Sequence, residues 1–153
     1  MYTCQHGENE CVVDVLDMCV MYLLSDPKNW TNVNQTIEDS FTNQTKPAWP
    51  YIYCMDEAQA DPTASEGCFK AANFTNITYT DLQDCYAYQY NDMQAAGKRA
   101  TDPTNHTYTP WVVVNNTVIQ YTDLLLQYIC AAYTGPKPPD CPKKPTRSSL
   151  FWW

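Results

Sequence analysis

The sequence predicts an α/β domain with a helical, disulfide-linked part. Apolar residues recur at helical spacing from Glu8 to Leu24, two short β-branched runs flank an Asn-Asn pair at 115–116, and eight cysteines are spread along the chain. At 153 residues the chain has the length of one domain and is long enough to bury a sizeable core. We therefore expect one core built from helices and a small sheet.

The first predicted element is an amphipathic helix over Glu8–Leu24. Its acidic residues Glu10, Asp14 and Asp17 fall on a different face from its apolar residues. An acidic first turn suits the positive end of the helix dipole, and Asp26-Pro27 ends the helix. The apolar face consists of Val12, Val15, Leu16, Cys19, Val20 and Leu23.

The next stretch, 28–47, is polar, and we interpret it as an exposed loop with thin packing and a short helical turn at Ile37–Phe41. Two short helices are predicted after it, over Tyr51–Ala58 and Ser65–Ala72. Each carries one cysteine, Cys54 or Cys68. Together these helices form a small insertion-like unit.

A longer helix is predicted over Asp81–Ala96. Thr80 and Gln83 have the spacing of a capping box, in which each side chain accepts from the other residue's backbone N–H. Gly97 is expected to end this helix, since glycine is common just past a helix C-terminus.

The closing segment predicts a hairpin followed by a helix. Strands over Trp111–Val114 and Thr117–Gln120 are joined by Asn115-Asn116, a pair that tolerates the positive φ of a tight turn. Thr122 caps the final helix, and Gly135-Pro136 closes it. This order, strand, turn, strand and helix after a proline, is that of the second half of a thioredoxin-like domain, although fold analogy alone does not establish function.

The charge balance excludes several partners. A net charge of −8 argues against a nucleic-acid or anionic-membrane partner, because phosphate neutralisation needs clustered Lys and Arg. The one basic cluster, Lys143, Lys144 and Arg147, lies in a Pro-rich tail that we interpret as solvated. No apolar run reaches the roughly twenty residues that span a bilayer, so no membrane span is expected.

Cysteines and glycan acceptors place the chain outside the reducing cytosol. The even cysteine count favours disulfides, and the recurrence of Asn-x-Ser/Thr favours N-glycosylation in the secretory pathway. No secretory signal follows Met1, and we therefore expect that the true start lies upstream. The cysteines are Cys4, Cys11, Cys19, Cys54, Cys68, Cys85, Cys130 and Cys141, and the acceptors are Asn29, Asn34, Asn43, Asn73, Asn76, Asn105 and Asn115.

The most specific motif runs from Cys4 to Cys19. It resembles the signature CQHG-x2-EC-x2-N-x4-C of the gamma-interferon-inducible lysosomal thiol reductase (GILT) family, with Asp14 standing where the family has Asn. The matching residues are Cys4, Gln5, His6, Gly7, Glu10, Cys11 and Cys19.

The resemblance extends through Tyr108–Val112 and through Leu124–Tyr133 to Cys141. It implies a thioredoxin-like domain over 1–141 that is incomplete at its N-terminus. A helical, disulfide-linked insertion covers roughly 8–97, a closing hairpin and helix cover 108–135, and 142–153 is a Pro/Lys-rich tail. The chain matches about the C-terminal two-thirds of the family domain, and the CxxC-bearing segment would precede Met1.

The family activity that the resemblance implies is reduction of protein disulfides in an acidic lysosomal or extracellular compartment, with no cofactor beyond a reductant. Such a reductase needs one thiolate to attack and a neighbouring thiol to resolve the mixed disulfide. The sequence has no CxxC, and its closest cysteine pair, Cys4 and Cys11, lacks that spacing. We therefore assign no catalytic residue and expect the chain alone to be inactive, with disulfide-containing proteins as substrates if the missing segment is present. The alternative is a non-catalytic, glycosylated binding or scaffold protein of the same fold.

The resemblance also assigns a role to Thr109-Pro110. In thioredoxin-like folds a cis-proline at this place faces the dithiol and offers backbone to an extended substrate. The alternative interpretation is an ordinary loop proline before a strand.

Cys4, His6, Cys11 and Cys19 are also possible zinc ligands, but their spacing matches no familiar zinc module, and structural disulfides are favoured. Among the disulfides we predict a Cys130–Cys141 bridge, because the 135–139 segment turns the chain back on the last helix.

His6 is either a charge switch in an acidic compartment or, as we favour, a hydrogen-bonded structural histidine.

Overall fold

The computed structural model describes residues 4–30 and 35–142. It divides the chain into two compact units, Met1–Asn105 and His106–Trp153. The glycan acceptor Asn34 and the three basic tail residues predicted to be solvated lie outside the described residues. Within those residues, no helix is both long and apolar enough to cross a membrane.

Helix α1 spans Glu8–Leu24, which confirms the predicted bounds. Gly7 precedes it at a φ of 104°, a backbone conformation that favours glycine. A 3-10 turn, Pro27–Asn29, follows the helix. The buried residues of α1 are Cys11, Val13, Val15, Leu16, Cys19 and Val20.

Helix α2 spans Ile37–Glu57, so the loop predicted over 28–47 is wrong from Ile37 onward. A capping box starts the helix: Asp39 N–H donates to Thr36 Oγ1 at 3.2 Å, and Thr36 N–H donates to Asp39 Oδ2 at 2.9 Å. The helix passes through Pro47 and Pro50 and takes in the short helix predicted from Tyr51. One face is buried, at intervals of eight, three and four residues, and this burial offsets the loss of the hydrogen bonds that the prolines remove. That face consists of Ser40, Ala48, Tyr51 and Met55.

Helix α3 spans Ser65–Ala72 as predicted and follows a 3-10 turn, Pro62–Ala64. Two links hold it against α2. One is the Cys54–Cys68 disulfide, and the other is a buried hydrogen bond of 2.8 Å between the hydroxyls of Tyr51 and Ser65.

Helix α4 spans Tyr79–Thr101, longer at both ends than predicted. Its capping box is formed by Thr78 and Asp81, not by the predicted Thr80 pair, with Thr78 N–H donating to Asp81 Oδ2 at 2.8 Å. Gly97 does not end the helix. A β-carbon there would lie 3.0 Å from Sδ of Met18, so this glycine permits a close approach to α1.

The first unit is a helical assembly in which α1 packs against both α2 and α4. The Cys19–Cys85 disulfide joins α1 to α4 inside the core, where the two residues are 0% and 2% exposed. The large side chains fully buried around it include Val15, Val20, Tyr51, Met55, Leu82 and Met93.

The second unit contains strands β1, Val112–Val114, and β2, Thr117–Ile119, paired antiparallel. The predicted Asn115-Asn116 turn is confirmed, with φ values of 47° and 63°. Helix α5 spans Leu125–Ala132 after a 3-10 turn that begins at Thr122. Two predictions are wrong here, because no side chain caps α5 and the helix ends at Ala132, before Gly135-Pro136.

The predicted α/β class implies more β-sheet than the structure contains. Within residues 4–30 and 35–142 the strands are β1 and β2 alone, and most of the structure is helical. The 28–47 stretch accounts for much of the difference, because its residues from Ile37 onward belong to a long helix.

Candidate functional site

The candidate site is the signature segment at the start of α1. Cys4 and Cys11 are joined by a disulfide with Cα atoms 5.6 Å apart, which closes a short loop over the N-terminus of the helix. Cys11 is 5% exposed, whereas Cys4 is half-buried. Gly7 turns the chain inside this loop, and its N–H donates to the carbonyl oxygen of Cys4 at 3.3 Å.

His6 and Glu10 brace the same loop. The backbone N–H of His6 donates to Glu10 Oε2 at 2.8 Å, and the His6 ring Nδ1 lies 3.0 Å from Glu10 Oε1. The hydrogen bond from the His6 backbone, and secondly that from its side chain, lower the pKa of Glu10. His6 is thus a hydrogen-bonded residue on the surface, as favoured from the sequence.

Two further acids follow along α1. Asp14, the position that departs from the signature, is exposed, and partial desolvation followed by the charge of Glu10 raises the pKa of its carboxyl. Asp17 is partly buried, and its Oδ1 is buried without a hydrogen-bond partner. The prediction that this acidic face is separate from the packed face therefore fails at Asp17.

A cavity of about 270 Å³ lies beside α1 in the first unit. Apolar residues of α1 and the proline of the 3-10 turn form part of its wall, and residues of α3 and α4 that carry hydroxyl or amide groups form the rest. The lining residues are Val12, Leu16, Pro62, Ser65, Tyr79, Gln83 and Tyr86. An apolar group with one or two hydrogen-bonding atoms fits such a lining.

The other predicted site residues lie in the second unit. The peptide bond between Thr109 and Pro110 is cis, and both residues are exposed just before β1. Their role at a substrate groove stays a prediction.

The eight cysteines form four disulfides and leave no free thiol within the described residues, which include all eight. The predicted Cys130–Cys141 bridge is among them, and Cys4, Cys11 and Cys19 are not available as thiolate ligands. Across 4–30 and 35–142, no group of three or more His, Cys, Asp or Glu side chains is arranged to hold a metal ion.

Six of the seven glycan acceptors fall within the described residues, and all six are exposed. Asn73, Asn105 and Asn115 adopt left-handed backbone conformations at turns or helix ends. Asn29 Nδ2 donates to Asp26 Oδ2 at 2.7 Å. Asn43 lies within α2, so the prediction that it belongs to a surface loop is wrong.

Residues 1–72 match the family model described as gamma interferon inducible lysosomal thiol reductase (GILT). The matched stretch contains the signature segment together with α1, α2 and α3. Over this matched stretch, 72 of its 153 residues, the chain is similar to the GILT family.

Relatives of this family resemble the chain over most of its length. The Arabidopsis thaliana gamma-interferon-responsive lysosomal thiol protein is 28% identical over 141 residues, covering 87% of this chain and 49% of the relative. The gamma-interferon-inducible lysosomal thiol reductases of Carassius auratus and Mus musculus are 26% and 24% identical, over 92% and 91% of this chain and 51% and 49% of the relatives. The chain thus spans about half the length of these curated relatives. No solved structure matches it.

Sequence reasoning located the GILT signature but missed Asp17 and the Tyr51–Ser65 pair. Asp17 was grouped with Glu10 and Asp14 because the three share a helical face. The missed signal lies in α2: once Ser40, Ala48, Tyr51 and Met55 are recognised as one buried face, a long helix must pack there and cover part of α1.

Proposed function

We propose that this chain is part of a GILT-type thiol oxidoreductase that reduces protein disulfides in an acidic lysosomal or extracellular compartment. The supporting observation is the match of residues 1–72 to the GILT family model, together with the similar Carassius auratus and Mus musculus proteins that are named lysosomal thiol reductases. The four disulfides fit an oxidising compartment, because the cytosol keeps thiols reduced.

The 153 residues alone do not catalyse this reaction in our proposal. Disulfide reduction requires a thiolate that attacks one sulfur of the substrate and a second thiol that resolves the mixed disulfide. The sequence has no CxxC, and each described cysteine sulfur is already bonded to another. The chain supplies a cross-linked framework, and the dithiol must come from elsewhere.

A reduction assay tests this proposal. Insulin is incubated at mildly acidic pH with a small thiol as electron donor and either the 153-residue chain or the mouse relative as positive control. We expect turnover by the mouse protein and none above background by this chain. Turnover by the chain that disappears in the Cys4→Ser/Cys11→Ser double variant would show that this pair is catalytic and would refute the framework role.

The thioredoxin-like fold and the substrate groove are proposed on the family resemblance. Thr109 and Pro110 would offer backbone to an extended substrate beside a dithiol. Exchange of Pro110 for Ala in an extended, active form, which frees the backbone that proline fixes, should then raise KM for a protein substrate, and an unchanged KM would contradict the assignment.

N-glycosylation is proposed from the acceptors, whose six described asparagines are exposed. Glycopeptide mapping of protein secreted from eukaryotic cells tests it, and seven unmodified asparagines would contradict it.

The second candidate is a non-catalytic binding or scaffold protein of the same fold. It is favoured by the closed cysteines and by exposed aromatic residues on α2, where Trp49 and Tyr53 are 55% and 49% exposed with ring centroids 6.0 Å apart. A parent protein that binds a partner with its cysteines blocked, and that lacks reductase activity, would favour this candidate.

A further inference from the structure

Asp17 is partly buried, and one atom of its carboxyl group is left unsatisfied. It lies on α1, where α1 packs against α2, and its Oδ1 is buried without a hydrogen-bond partner. None of the ion pairs found within residues 4–30 and 35–142 includes it. A buried carboxylate without a counter-charge costs folding free energy, whereas the neutral acid costs much less.

The groups that face Asp17 add to this cost. Asp14 on its own helix and Asp56 on α2 act on it as negative charges. Tyr51 of α2 is a titratable group that interacts with Asp17, and Tyr79 of α4 in turn contributes to raising the pKa of Tyr51. Burial raises the pKa of Tyr51, so this phenol stays neutral at physiological pH. No positive charge is among the causes that shift the pKa of Asp17.

We propose that Asp17 is a pH-dependent stability switch of the first unit: the neutral carboxyl stabilises the packing of α1 on α2, and the ionised carboxyl loosens it. The geometry behind this proposal is the buried, unpaired oxygen between two helices with two further carboxylates nearby. The proposal does not depend on reductase chemistry, because no cysteine takes part in it.

The direction of the pH effect follows from the two titrations. Burial first, and then Asp14 and Asp56, raise the pKa of Asp17 from 3.8 to about 7 in the folded chain. In the unfolded chain the carboxyl titrates near its ordinary value, so between these two pH values the folded state holds a proton that the unfolded state has lost. The stabilisation is fully present below the unfolded pKa and is lost as the pH rises towards 7. The first unit is therefore expected to be more stable in acid than at neutral pH.

Amide hydrogen exchange of α1 tests the proposal in the intact, unglycosylated 153-residue chain with its disulfides formed. Exchange is measured at pH 5.0 and 7.5 and corrected for the intrinsic effect of pH. The opening equilibrium constant of α1 should rise between these values on the order of tenfold to a hundredfold. Asp17→Asn, which keeps the shape of the neutral acid, should remove that rise. It should also lower the opening constant at pH 5.0 on the order of tenfold, because the carboxyl of the unfolded chain is already mostly ionised there.

Asp84→Asn is the matched control, since Asp84 is an exposed carboxylate on α4. It should leave the rise intact. The Asp17→Asn variant retains every other titratable group, so the difference between the variants isolates Asp17. An α1 that opens equally at both pH values, or an unchanged rise in Asp17→Asn, would overturn the proposal.

If the variant fails to fold, carbon-13 NMR of the Asp17 carboxyl in the unsubstituted chain decides. A titration midpoint above pH 6 supports the proposal, and a midpoint near the ordinary aspartate value refutes it.

Discussion

At the residue scale, Gly7 adopts a backbone conformation that the neighbouring residues in the sequence do not indicate. Its φ of 104° and ψ of −171° lie in a region that is essentially restricted to glycine, and no atom lies within 4 Å of a β-carbon built there. The signature marks Gly7 by resemblance alone. Its physical role becomes visible only in the structure, as the turn that closes the Cys4–Cys11 loop onto α1.

Gly7→Ala should therefore destabilise the chain through backbone strain alone. We expect the free energy of unfolding to fall by about 1–3 kcal/mol, measured by urea denaturation with the disulfides intact.

Gly67→Ala is the control, because Gly67 lies inside α3 with open space around it and no positive φ. Alanine there should stabilise the chain by about 0.5–1 kcal/mol. Equal effects of the two substitutions would show that the Gly7 backbone is not strained by a β-carbon.

At the element scale, the start of α4 has two candidate caps that the sequence ranks in the wrong order. Thr78 and Thr80 both have a polar residue three positions later, Asp81 and Gln83. A capping box ordinarily pairs Ser or Thr with Glu or Gln, and this rule favours Thr80. In the structure the shorter Asp81 side chain reaches back to the Thr78 N–H at 2.8 Å.

Thr78→Ala should cost about 1 kcal/mol of stability, because the N–H of Asp81 loses its acceptor. Thermal or urea unfolding of unglycosylated protein is the measurement, since Thr78 also completes the acceptor at Asn76. Thr80→Ala should change stability by less than about 0.5 kcal/mol. A larger loss in Thr80→Ala than in Thr78→Ala would restore the cap predicted from the sequence.

Predictability at this scale depends on whether local chemistry and packing agree. The bounds of α1 and α3 follow from the sequence because periodicity and end signals coincide. The bounds of α2 do not, because Pro47 and Pro50 indicate a break locally. Tertiary burial of Tyr51 and Met55 outweighs that signal, and such burial is not visible before the partners of α2 are known.

At the scale of the whole molecule, the cysteine pattern was a better guide to the structure than the predicted α/β class was. An even count correctly indicated disulfides, and the turn after α5 indicated the Cys130–Cys141 bridge. The Cys19–Cys85 bridge spans 66 residues and was beyond sequence reasoning, because the crossing of α1 and α4 sets it. A closed loop of that length restricts the unfolded chain on the order of 4 kcal/mol in the chain-entropy model.

Each of the four disulfides begins and ends within a single unit. One proteolytic cut within the exposed stretch 101–110 should therefore release two fragments that separate on a non-reducing gel. A cut after Lys70, inside the Cys19–Cys85 loop, should leave the pieces attached until a reductant is added. A protease in an oxidising compartment can thus divide this chain at its unit boundary without any disulfide being broken.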